Sequence, residues 1–373
     1  MGKPAIIVDS PLDRSVYQRG LDGHARVHVS GKITGKPRVN DPRVTCAVTN
    51  PGGKAVHAGS YPVTARTGRF DGEITLPAGG WYRIRLMIDD GTGNAGTPPA
   101  TATMATATID HVGAGEVFIV AGQSNAANSG TTRFIPRSDL ISTRTANGWQ
   151  HAADPQPMAT NDGGSPWPSM ADALVETLHV PIGIIVIAVG GTAVGSWMPR
   201  RHESSPGSWP RWLARLFPKR YNFRRLEWAI KAVGRDGARA ILWHQGESDS
   251  IARTSAETYA KRLLSVIHGS WDIAGWNIPW LVARASFHTT PARTDMEAVA
   301  AGQERVVDNK TIFQGPTTDD LVGEPWRAPD GVHFNRAGLV EHGNRWARAI
   351  ISTFFTGERG TRPGIPREFH GNP

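Results

Sequence analysis

Apolar and polar positions alternate along the first part of the chain, and the period then changes. Ala25, Val27, Val29 and Ile33 sit between polar neighbours, and Tyr82, Ile84, Leu86 and Ile88 repeat the arrangement. A period of two suits a half-buried strand, because successive side chains leave opposite faces of a sheet. Turn formers recur between these runs, at Gly31, Asn50-Pro51-Gly52-Gly53, Pro77-Ala78-Gly79-Gly80 and Asp90-Gly91-Thr92-Gly93-Asn94. No helical period interrupts them. Residues 1–113 are therefore expected to form a small all-β sandwich domain.

From Glu116 onward, short apolar runs alternate with helical periods. Strands are expected over residues 117–121, 182–189, 239–243 and 279–285, each an almost continuous apolar run. Helices are expected over residues 171–179, along the face of Phe223, Leu226, Ile230 and Val233, and over residues 336–355. Thr254-Ser255-Ala256-Glu257 reads as a capping box that opens a further helix through Tyr259, Leu263 and Ile267. Strands alternating with helices predict an α/β fold, a three-layer doubly wound parallel sheet, over residues 114–356. Residues 357–373, rich in Gly, Pro and Arg, read as a loose tail.

Candidate chemistry gathers where the strands end. Val117-Phe118-Ile119-Val120-Ala121 stops in Gly122-Gln123-Ser124-Asn125, which places a serine at a sharp turn on the C-terminal edge of the sheet. Such a hydroxyl is expected to be exposed and to pack little. Asp330-Gly331-Val332-His333 brings a carboxylate and an imidazole within one tight turn. Ser124 as nucleophile, His333 as base and Asp330 as the group that orients it would make a hydrolytic triad. Between these segments, Val189-Gly190-Gly191-Thr192 and His244-Gln245-Gly246-Glu247-Ser248-Asp249 each close an apolar run.

The order Ser, Gly, amide, Asp-x-x-His resembles the SGNH hydrolase superfamily. Gly-Gln-Ser-Asn together with His-Gln-Gly-Glu-Ser-Asp resembles its sialate O-acetylesterase branch, which is similar to carbohydrate esterase family 6. Gln245 stands where the wider superfamily has asparagine. The resemblance covers about residues 115–355. It implies an oxyanion hole built from the backbone N–H of Ser124, a backbone N–H at Gly190 or Gly191, and the side-chain amide of Gln245. It also leaves Glu247 open as an alternative partner of His333. The implied activity is a serine esterase that removes acetyl groups from carbohydrates, sialate- or acetylxylan-like, through an acyl-enzyme. The competing readings are a non-catalytic carbohydrate-binding or surface protein and another lipase or thioesterase of the superfamily. Trp-rich loops favour sugar stacking over a lipid.

Composition narrows the alternatives. The 373 residues are 39% hydrophobic and 20% charged, as in an ordinary globular chain long enough for two domains. The net charge of +8 comes mainly from residues 198–225, where eight Lys and Arg face the single acid Glu203. No nucleic-acid-binding motif accompanies it, so a solvated basic face is expected rather than a nucleic-acid partner. A second reading sets Arg200, Arg201, Trp197, Trp209 and Trp212 against an acidic glycan. Cys46, the lone cysteine, lies in a strand-like run and reads as a small buried hydrophobe. His24 with His28, and Glu176 with His179, lack further ligands, so no metal or other cofactor is expected. Residues 1–9 carry no leader pattern, and the longest apolar run is too short to span a bilayer, so no membrane partner is expected and a cytoplasmic protein, or part of a larger exported or displayed assembly, is the default.

Overall fold

The computed structural model describes residues 3–35, 42–64, 66–89, 104–199 and 221–356. The basic segment apart from its two ends, most of the small-residue stretch 92–108 and the tail 357–373 lie outside the described residues. The chain divides into two compact units. The first comprises Met1–Val117, Ser138–His151 and Leu178–Gly183, and the second comprises Phe118–Arg137, Ala152–Thr177 and Ile184–Pro373.

The first unit is built from β1 (Ala5–Ser10), β2 (Ser15–Gln18), β3 (His24–Thr34), β4 (Arg43–Thr49), β5 (Ala55–Pro62), β6 (Arg69–Pro77), β7 (Gly79–Asp89) and the start of β8 (Ala105–Gly122). β1, β3 and β6 make an antiparallel sheet in that order. β4 pairs antiparallel with β5 and β7, and β7 pairs antiparallel with β8. The alternation in β3 sends Ala25, Val27 and Val29 inward with Val44, Phe70, Leu76, Ile84 and Leu86. Cys46 belongs to this core, and burial pushes its thiol up to about 12. A short antiparallel pair, β9 (Ile141–Arg144) and β10 (Trp149–His151), comes from later in the chain. Glu116 is fully buried on β8 and accepts from Arg19 Nε (2.6 Å) and Gln18 Nε2 (2.8 Å).

The second unit takes the end of β8 and adds α1 (Trp167–Leu178), β11 (Ile182–Val186), α2 (Tyr221–Val233), β12 (Ala240–His244), α3 (Glu247–Ile251), α4 (Ala256–Ala274), β13 (Trp280–Arg284), α5 (Arg293–Arg305), β14 (Ile312–Thr317) and α6 (Arg336–Phe354). Its strands run in the order β11-β8-β12-β13-β14, and the pairs β8/β12, β12/β13 and β13/β14 are parallel. Val117 to Ala121 and all of β12 are buried, which is why these strands are uninterrupted apolar runs with no alternation. α4 packs on α2 and α5, and α6 runs along β14. The second unit is the expected α/β fold, and the strands ahead of it in the chain make up most of the first unit.

Two local expectations need correction. Ser255, not Thr254, caps α4, accepting from the Thr258 N–H at 3.3 Å, while Thr254 Oγ1 donates to Asp249 at 2.9 Å. A buried carboxylate took the first hydroxyl, and the next one became the cap. α5 and β14 were absent from the sequence reading. α5 buries only Val299, Ala300, Gly302 and Gln303, which is too little apolar character to mark a helical face.

Candidate active site

The serine turn is set by a glycine. β8 ends at Gly122 with φ +143°, and a Cβ there would lie 2.0 Å from the His244 carbonyl oxygen. Only glycine accepts both the dihedral and the close approach. The Gln123 N–H then donates to that same carbonyl at 3.0 Å, so the ends of β8 and β12 are pinned together. Ser124 opens a 3₁₀ turn, Ser124–Ala126. It is 8% exposed, more enclosed than the free hydroxyl expected from the sequence, and its Oγ has no hydrogen-bond partner among the described residues.

The Asp330–His333 turn closes on itself. Gly331 has φ +71°, which lets the chain reverse between the two side chains. Asp330 Oδ1 accepts the N–H groups of Val332 (2.8 Å) and His333 (2.9 Å), and Oδ2 meets His333 Nδ1 at 2.6 Å. Partial burial would raise the Asp330 carboxyl. The two backbone donors and the imidazole outweigh it and hold the group below its ordinary range. With Nδ1 held by the carboxylate, the assigned tautomer leaves Nε2 as the free ring nitrogen.

Asn125 joins the two turns. Its Nδ2 donates to the carbonyl oxygen of Val332 at 3.3 Å and to Glu247 Oε1 at 2.8 Å. The residue after Ser124 is thus bonded to the residue before His333.

Glu247 lies on the dry side of this junction. It is 2% exposed at the start of α3, with Oε1 4.0 Å from His244 Nε2. Burial pushes its carboxyl up to about 7, against the hydrogen bonds it accepts. Burial, with help from the Arg327 charge, lowers His244 to about 3, and His342, which meets His244 at 3.2 Å, is held well below its ordinary value for the same first cause. Glu247 makes no hydrogen bond or ion pair with His333 among the described residues.

Gln245 is fully buried, and its Nε2 is within hydrogen-bond distance of Gln123 Oε1 (3.0 Å), the Thr192 carbonyl (3.1 Å) and Asp249 Oδ2 (2.8 Å). Its Oε1 accepts from the Tyr259 hydroxyl at 2.9 Å. Two amide hydrogens already face three protein acceptors, so in this arrangement Gln245 ties together the turns after β8, β11 and β12. Asp249 extends the same cluster by accepting the Val194 N–H at 2.7 Å. The Gly190 N–H donates to Thr160 Oγ1 at 2.8 Å. Gly191 is exposed, with φ +68° and open space where a Cβ would stand, and its N–H has no partner among the described residues.

Other expectations change on contact with the structure. Trp197 is fully buried, donates to Thr192 Oγ1 and packs edge-on against Trp243, so it is core and cannot stack on a sugar. Trp167, Trp243, Trp280 and Trp346 are buried as well. Arg225 is engaged with the Ile187 and Met158 carbonyls and the Tyr221 hydroxyl. Arg200, Arg201, Trp209 and Trp212 lie outside the described residues. Glu176 pairs with Arg137 at 2.6 Å. Among the described residues no three His, Cys, Asp or Glu side chains converge as metal ligands, and no helix is long and apolar enough to cross a membrane. The sequence reading missed Arg327, which is 4% exposed and donates to the carbonyls of Leu321 (2.5 Å), Val332 (2.6 Å) and Thr318 (3.1 Å). A lone arginine in a loop carries no periodic signal. Only its place just before Asp330 could have drawn notice.

A serine turn at the end of a parallel strand is thus bonded to a loop that carries an Asp–His pair, groups whose chemistry suits ester hydrolysis. The sequence profile of the family described as carbohydrate esterase, sialic acid-specific acetylesterase, matches residues 114–352, and the chain belongs to that family of ester hydrolases. It is similar to a probable carbohydrate esterase of Arabidopsis thaliana, 26% identical over 268 residues that cover 64% of this chain and 91% of the relative. Its fold is similar to the crystal structure of a carbohydrate acetylesterase from Xanthomonas citri, with a TM-score of 0.54 and 18% identity over 93% of this chain and 75% of the other.

Proposed function

We propose that the protein hydrolyses O-acetyl esters of carbohydrates through an acyl-enzyme on Ser124, with residues 114–356 as the esterase module. The single observation that carries this reading is the 2.6 Å Asp330–His333 contact on a loop bonded to the turn that bears Ser124. In the first half-reaction Ser124 Oγ attacks the acetyl carbonyl carbon, and His333 Nε2 takes the hydroxyl proton. The tetrahedral oxyanion is met by the backbone N–H of Ser124 and that of Gly191. Gln245 and Thr160 act on this hole from behind, by fixing the turns that carry it. Collapse breaks the ester C–O bond, and His333 returns the proton to the departing sugar hydroxyl. Water, deprotonated by His333, then attacks acetyl-Ser124, and acetate leaves as the serine regains its proton. Asp330 stays ionised and stabilises the imidazolium. No metal or cofactor enters either step.

Membership of a family described as sialic acid-specific supports an acetylated sialic acid as substrate, with other acetylated sugars as the wider class. Ser124→Ala tests the nucleophile. It removes one oxygen and leaves the Asn125 and Gln123 bonds in place, so the fold should survive. Turnover of a small acetyl ester is expected to fall by about 10⁴-fold or more. A folded variant that retains wild-type turnover rules the assignment out.

A further inference from the structure

Val332, the residue between Gly331 and His333, offers one carbonyl oxygen to two side-chain donors. Arg327 Nη1 donates to it at 2.6 Å and Asn125 Nδ2 at 3.3 Å. A carbonyl oxygen has two lone pairs, and both are used here. One donor is covalently next to Ser124. The other is a buried guanidinium that also holds the Thr318 and Leu321 carbonyls beyond β14 and lies 3.9 Å from the Phe334 ring centroid. Asn125 is held from its far side by Glu247 Oε1 at 2.8 Å.

We propose that Asn125 and Arg327 are positioning residues for hydrolysis, which set the His333 imidazole against the Ser124 hydroxyl by gripping the Val332 carbonyl from both turns, with Glu247 holding Asn125 in place.

The physical case is the cost of the arrangement. Arg327 is buried with no carboxylate hydrogen-bonded to it among the described residues, only carbonyls and aromatic faces. Burial lowers its pKa to about 10, even though the Glu247, Asp319, Asp330 and Asp320 charges raise it. Asn125 keeps its Oδ1 buried without a partner. A buried cation and an unpaired amide oxygen are weak devices for stability, since apolar replacements of the same shape would serve as well. They do fix geometry. Proton transfer needs His333 Nε2 within about 3 Å of Ser124 Oγ, and a 1 Å error in placement costs about 100-fold.

The proposal rests on the Ser124–His333 reading, and the experiment separates the two. The full chain, Ser124→Ala, Asn125→Ala, Arg327→Lys and the Asn125→Ala/Arg327→Lys double variant are assayed on an aryl acetate, with melting midpoints measured alongside. Each single positioning variant should lose about 10- to 100-fold in kcat, with KM changed by no more than about threefold, at temperatures where it is fully folded. Lysine keeps the charge but cannot reach three carbonyls at once. The double variant should lose less than the product of the singles, because both donors act on one oxygen. A merely structural role would lower the melting midpoint and leave kcat of the folded protein intact. If Arg327→Lys does not fold, Asn125→Ala decides alone. A folded Asn125→Ala enzyme with kcat within about twofold of wild type, or fully multiplicative losses in the double variant, overturns the proposal. If Ser124→Ala itself stays active, the catalytic reading falls. An inactive Ser124→Ala beside a fully active Asn125→Ala removes only the positioning role.

Discussion

Two carboxylate–histidine pairs of three-residue spacing flank the candidate site, Asp330–His333 and His244–Glu247, and they differ in almost every other respect. Asp330–His333 sits in a half-exposed turn with a 2.6 Å contact, and the carboxyl is held below its ordinary range. His244–Glu247 sits in the core with 4.0 Å between the groups, the acid pushed up to about 7 and the imidazole lowered to about 3. Between those values both members of the dry pair are neutral. Spacing alone makes them equal candidates. Solvation and backbone donors separate them, because a carboxylate that two N–H groups keep ionised stabilises an imidazolium, whereas a protonated one cannot. The comparison favours Asp330 as the acid of the proposed triad and gives Glu247 the task of holding Asn125.

The largest effect that could break this contrast is on turnover. Asp330→Asn should reduce kcat by up to about 10⁴-fold, by removing the charge behind His333 while leaving the turn nearly isosteric. Glu247→Gln keeps an acceptor for Asn125 and should cost about tenfold or less through misplacement alone. Steady-state rates of the two variants on one acetyl ester make the check, and the reverse ranking transfers the acid role to Glu247.

A smaller effect should appear in stability. Glu247 has a folded pKa above its unfolded value, so the folded state holds a proton that the unfolded chain has released between about pH 4.5 and 7. Its contribution to stability therefore falls as pH rises through that window. His244, depressed to about 3, acts the other way: below about pH 6.5 the unfolded chain binds a proton that the folded one refuses, so stability rises with pH from 3 to 6.5. The two slopes oppose each other where they overlap. Glu247→Gln should remove the falling one and make denaturation midpoints climb more steeply with pH between about 4.5 and 6.5. Parallel pH–stability curves for wild type and variant would mean that Glu247 titrates normally in the folded protein.

The parts of the site legible in sequence were those that a turn must encode locally. Gly122 before Gln123-Ser124 and Gly331 between Asp330 and His333 both mark dihedrals that other residues resist. The buried strands announced themselves as uninterrupted apolar runs. Depth was not legible. Trp197 in a polar loop reads as a stacking platform until the fold buries it against Trp243, and Gln245 reads as a free donor until Gln123, Thr192 and Asp249 surround it. Arg327 was invisible because its partners are carbonyls, which every residue carries. Long-range closure, not local pattern, gives these three side chains their roles.

The central claim is that Ser124 becomes acetylated during turnover. The most direct measurement is rapid acid quench of the enzyme with an aryl acetate, followed by intact mass and peptide mapping. One acetyl group on the peptide bearing Ser124, accumulating in Asp330→Asn more slowly than in wild type and absent from Ser124→Ala, is the predicted result. Sustained turnover with that serine unmodified, or the acetyl group on another residue, would contradict it.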